Sequence, residues 1–125
     1  MKSFISFTII VAIIFIQALT PFTEDTHVWI HNKVTAGTWT NAAAVLENKQ
    51  GDFDWSGDAG AIDIEGDWAH TGYSLTVPSN VKSYWLAFRV AASTEENKWR
   101  GPYNNDGDKC WHFHGTLDNW IVFEC

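Results

Sequence analysis

The stretch Ser83-Tyr84-Trp85-Leu86-Ala87-Phe88-Arg89-Val90-Ala91-Ala92 decides the fold class of this chain. Its aromatic and aliphatic residues read as a strand, and it follows Val77-Pro78-Ser79-Asn80, where Pro78 has no N–H for a ladder and marks a strand end. The same texture recurs on both sides of it: short aromatic and β-branched runs separated by Gly, Asn, Asp and Pro, with no helical spacing sustained beyond about two turns. Strands are expected at Thr26 to His31, Thr38 to Glu47, Asp52 to Ser56, Ala61 to Glu65, Tyr73 to Val77, Ser83 to Ala92, Cys110 to His114 and Trp120 to Cys125. Within the second, Ala42, Ala43, Ala44, Leu46 and Glu47 favour helix, so a short helix competes over Asn41 to Glu47. Ser93 to Asp108 reads as one long polar loop. The sum is an all-β chain, a single-domain β-sandwich of about seven or eight short antiparallel strands, with a small barrel as the rival.

Ahead of this domain, Lys2 precedes an apolar run from Phe4 to Ile16 and then the small residues Ala18 and Thr20. That order is expected of a cleaved secretory signal over residues 1–20, followed by a mature domain over 21–125; the run is short for a membrane anchor. Export places Cys110 and Cys125 in an oxidising compartment, where an intramolecular bridge is expected, with an intermolecular one as the alternative. No Asn-x-Ser/Thr acceptor occurs in the sequence. Eight Lys and Arg against fifteen Asp and Glu give a net charge of −7. That sign disfavours nucleic acid and anionic membrane surfaces and suits neutral ligands or cations.

Eight tryptophans are too many for so small a core to bury with every indole N–H satisfied. Trp85, Trp111 and Trp120 lie in apolar runs and are expected inside. Trp55, Trp68 and Trp99 sit among Gly, Asp, Asn and Lys near turns and, with Tyr103, are the candidate ligand-binding aromatics. Exposed indoles suit sugar rings or the headgroup level of a membrane, although tryptophan also serves simply as a packing residue. Asp52, Asp54, Asp58, Asp63, Glu65 and Asp67 form an acidic stretch in which alternate positions share a face, read first as a solvated face. The complete spacing of a calcium loop is missing. Asp106 and Asp108, with His112 and His114 two apart on one strand, are weak candidates for a metal, and no cofactor is implied.

Hydrolase motifs such as Gly-x-Ser-x-Gly and His-Glu-x-x-His are absent from the sequence. A glycan hydrolase using Asp52 with Asp54 or Asp63 with Glu65 is therefore a minor reading.

Val28-Trp29-Ile30-His31-Asn32, then Gly37-Thr38-Trp39, and Tyr84-Trp85-Leu86-Ala87-Phe88-Arg89 after a Pro-containing turn together resemble the layout of aegerolysins and actinoporin-like proteins. The resemblance implies a small β-sandwich that binds membrane lipid. It departs from that pattern in its shorter chain, its cysteine placement and the lack of room in Pro21 to Thr26 for an inserting helix, so lipid binding is implied more than pore formation. The expected function is a secreted, non-enzymatic protein that binds a membrane lipid or a glycan through loop aromatics. The alternative is a self-associating structural or storage protein of the extracellular space.

Overall fold

In the computed structural model, residues 24–125 are described; the expected signal at residues 1–20 lies outside the described residues. Eight strands follow in order: β1 (Thr26–Val34), β2 (Trp39–Leu46), β3 (Ala61–Trp68), β4 (Gly72–Val77), β5 (Ser83–Val90), β6 (Lys98–Asn104), β7 (Lys109–Thr116) and β8 (Asn119–Glu124). They form two four-stranded sheets, β4-β1-β7-β8 and β3-β2-β5-β6, packed as a sandwich. Five of the strand pairs are antiparallel, but β1 and β7 run parallel, from Val28 opposite Lys109 to Val34 opposite Gly115. No hairpin joins these two strands, so no tight turn forces them antiparallel.

The core lies between the sheets. Val28, Ile30, Val34, Leu75, Val77, Leu86, Phe88, Trp111, Phe113, Trp120 and Val122 fill it. Phe88 of β5 meets Trp111 and Phe113 of β7 at ring-centroid distances of 5.5 Å, tying sheet to sheet. A polar tie joins them as well: Thr40 Oγ1 and Tyr73 OH are 2.8 Å apart. Burial holds the Tyr73 phenol well above its ordinary pKa; the Thr40 bond works against that shift, while Asp67 and Glu65 add to it.

The two sheets differ on their outer faces. Along β1, buried and exposed residues alternate, as expected where one face meets the core and the other meets solvent. Along β2 and β5 the burial is nearly continuous. Here the segment between β2 and β3 folds back over the sheet, and Phe53 and Trp55 pack with Ile64, Trp85 and Trp99 on Ala43, Val45 and Ala87. The alanine run of β2 is thus buried on both faces, and its small side chains leave room for the two layers.

Three local expectations are corrected, and one alternative is settled in favour of the expected strand. Asn41 to Glu47 is strand as far as Leu46, because burial between β3 and β5 overrides the helix propensity of alanine. A 3₁₀ turn follows at Glu47–Asp52. Asp52 to Ser56 is not a strand: Asp54 Oδ1 accepts from Ser56 N, and Gly57 N donates to Asp54 O, so local turn bonds replace a ladder. The long loop at Ser93 to Asp108 contains β6, whose Gly101 and Pro102 read as breakers. On the edge of its sheet Pro102 sacrifices no ladder bond, and Gly101 sits at φ +121°. Finally, Trp111 and Trp120 are buried between the sheets, whereas Trp85 belongs to the outer cluster under the cover.

Candidate functional site

Among the described residues no segment covers the outer face of the β4-β1-β7-β8 sheet, and this face carries a row of rings that alternation along the strands dictates. Val28, Ile30 and Asn32 point inward, so His27, Trp29, His31 and Lys33 point outward; on β7, Trp111 and Phe113 point inward and Cys110, His112 and His114 outward. Strand β8 turns Trp120 and Val122 inward and exposes Ile121 and Phe123. Register then sets His31 opposite His112 and His112 opposite Phe123. The rings touch: His31 stacks on His112 at 4.9 Å, His112 on Phe123 at 5.6 Å, and His114 meets Phe123 at 4.7 Å.

Around this row Trp29, Ile121 and Phe123 are 46%, 53% and 42% exposed. On the β4 side, Gly72 and Ser74 leave a shallow hollow of about 320 Å³ beside Trp29 and His31. Burial, followed by the charges of His31, His114 and Lys33, holds His112 below the ordinary imidazole pKa. The centre of the face is therefore an uncharged imidazole at neutral pH. The Cys110–Cys125 bridge, with a Cα–Cα distance of 5.3 Å, closes one end of the face and is intramolecular as expected.

The aromatics singled out in the sequence occupy three different places. Trp55 and Trp99 both contact Phe53 in the outer cluster of the other sheet, with Arg89 lying 4.5 Å over the Trp55 ring. Tyr103 packs against the main core near Tyr84 and Trp111. Trp68 is 55% exposed at one end of the sandwich, edge-on to Trp39 at 5.0 Å, beside a cleft of about 330 Å³ that Leu117 and Ala92 also line. These residues do not form one surface.

The metal candidates are also separate. Asp106 pairs with Lys109 at 3.8 Å, and Asp108 accepts a hydrogen bond from His27 N at 2.8 Å, while His112 and His114 lie farther along β7 in the ring row. Among the described residues, the metal-capable group that closes to within 4.8 Å is instead His31 with Cys110 and Cys125, the two sulfurs being bonded to each other. Asp63 and Glu65 lie one alternation apart on β3. Burial, a hydrogen bond to Asp63 and the Asp63 charge raise the Glu65 pKa, while Asp63 Oδ2 also accepts from Thr76 N.

Trp29, Ile121 and Phe123 escaped the sequence reading because each stands in an apolar strand that looks like core. The available signal was the strict alternation of Val28-Trp29-Ile30-His31, which puts Trp29 on the histidine side.

No protein-family model matches the chain, and no curated protein sequence matches it. Solved structures resemble it at low identity. A protein from Eubacterium rectale, solved by NMR, has a TM-score of 0.45 and 12% identity over 82% of this chain and 89% of that one. The T6SS protein TssM C-terminal domain from EAEC has 0.46 and 11% over 82% of this chain and 100% of that one. Wild-type pneumolysin has 0.44 and 12% over 81% of this chain, but the match spans only 23% of pneumolysin. Likenesses this distant bear on neither activity nor ligand, and the resemblance to aegerolysins and actinoporins rests on the sequence patches alone.

Proposed function

We propose that the protein is a secreted, non-enzymatic binding protein that attaches to the interfacial layer of a neutral lipid membrane through the bare face bearing Trp29, Ile121 and Phe123. The single observation behind this reading is the asymmetry of the sandwich. One sheet is covered on its outer face by the chain's own Phe53 and Trp55, while the other leaves large apolar side chains in water. Large apolar side chains exposed on one sheet face, on either side of the histidines of β7, mark an interaction surface. An amphipathic ring half in and half out of water matches the headgroup level of a bilayer. The net charge of −7 favours zwitterionic over anionic lipid.

Lipid fits this face better than glycan for a geometric reason. Sugar binding needs an aromatic face turned outward, whereas His31, His112 and Phe123 turn their faces on one another. Burying one half-exposed ring removes on the order of 100 Å² of apolar surface from water, about 2 kcal/mol, or more than tenfold in affinity.

The test is co-sedimentation with phosphatidylcholine vesicles. The wild-type protein is expected to bind, and a Trp29→Ser, Phe123→Ser double variant to bind at least about tenfold more weakly while keeping the far-UV circular dichroism of the folded protein. Failure of the wild-type protein to bind vesicles, or equal binding by the double variant, overturns the reading. A glycan response abolished by Trp68→Ser would move the binding function to the cleft at the end of the sandwich.

A further inference from the structure

The disulfide closes beside an imidazole. His31 lies on β1, Cys110 on the neighbouring β7 and Cys125 just beyond β8, and one imidazole nitrogen and both sulfurs lie within 4.8 Å of one another. Strand register accounts for this. Cys110 stands opposite Trp29, so it is the diagonal neighbour of His31 on the same outward face, and Cys125 N donates to Cys110 O at 3.1 Å. While the S–S bond is intact the sulfurs are poor metal ligands, since it is the thiolate that binds metal.

We infer that reduction of Cys110–Cys125 converts this corner into a binding site for Zn²⁺ or another thiolate-seeking cation, with His31, Cys110 and Cys125 as three ligands and the fourth position open. A thiol reductant delivers two electrons and two protons; the S–S bond breaks, each sulfur becomes a thiol, and the reductant leaves as its own disulfide. Metal binding then expels the two thiol protons, and two thiolates with one neutral imidazole make a set suited to tetrahedral zinc.

Two features make the conversion possible without loss of the frame. Cys125 is exposed, so a thiolate can reach the bond. The hairpin that carries both cysteines has its own ladder from Trp111 opposite Glu124 to Thr116 opposite Asn119. It is also anchored by Trp120 and Val122 in the core, so the ligands keep their places when the covalent link opens. This inference does not depend on membrane binding.

The experiment uses Co²⁺ as a spectroscopic probe of the full chain. A phosphine reduces the protein, taking oxygen from water and leaving the water hydrogens on the two sulfurs, and is then removed. One Co²⁺ per reduced chain is expected, with a thiolate-to-cobalt charge-transfer band that Zn²⁺ bleaches; the oxidised protein gives no band. His31→Ala is expected to weaken binding by at least the roughly tenfold that losing even an outer partner of a ligand costs. His114→Ala, on the same face but outside the three-ligand group, leaves the affinity unchanged. No band in the reduced protein, or equal affinity in His31→Ala, overturns the inference. If reduction unfolds the chain, Zn²⁺ must restore the near-UV circular dichroism of the folded protein, and failure to do so equally overturns it.

Discussion

At the scale of single residues, the structure separates side chains that the sequence groups together. Asp63 and Glu65 look like one more pair in an acidic stretch, yet burial and the neighbouring Asp63 carboxylate raise the pKa of Glu65. The native state holds the Glu65 proton more tightly than the unfolded chain does, so this group favours folding below the ordinary carboxylate range, and that contribution is lost as pH rises through the raised native value. Glu65→Gln, which keeps the shape and removes the charge, is therefore expected to raise the urea midpoint at pH 7 and to match the wild-type protein near pH 3, as read in paired denaturation curves at the two values. Trp29 shows the opposite kind of legibility. Its place beside His31 follows from alternation in Val28-Trp29-Ile30-His31, but which side of β1 faces water depends on the sheet packed against it.

At the scale of elements, the segment between β2 and β3 decides which of the two outer faces is available. Trp55 meets Phe53 at 5.0 Å and lies under Arg89, holding the cover on Ala43, Val45 and Ala87. Trp55→Ala is expected to lower stability by about 2 kcal/mol, less than the full cost of deleting a completely buried ring. It should also expose a second apolar face, so the variant should bind a hydrophobic dye that the wild-type protein binds less. The urea midpoint and dye fluorescence report the two effects separately. Strands β1, β4, β5, β7 and β8 were legible from their apolar and aromatic runs, β3 as far as Glu65, and the bridge from the two cysteines and their spacing. Strand β6 was not legible: Gly101 and Pro102 look like loop chemistry, and only an edge position in a sheet accommodates them without losing ladder bonds. Strand β2 was ambiguous because alanine's local preference is for helix, and its pairing with β3 and β5 is what settles the matter.

At the scale of the whole molecule, one ring joins the halves. Phe88 is fully buried and contacts Trp111 and Phe113 across the gap between the sheets. Phe88→Ala is expected to cost about 4 kcal/mol, a large share of the 5–15 kcal/mol typical of a domain, measured as a drop in both urea midpoint and Tm. The all-β class and the excess of tryptophan over what a small core can bury are legible in the chain alone, because composition, period-two alternation and turn residues act within a few positions; an intramolecular bridge was the expectation for the two cysteines, and the fold realises it. Only folding sets β1 parallel to β7, puts Trp55 and Trp99 into a second packed layer, and gathers Trp29, Ile121 and Phe123 on the open face. Those outcomes depend on which strands become neighbours across 80 or so positions of chain, and long-range pairing is set by the fit of whole faces rather than by any local preference.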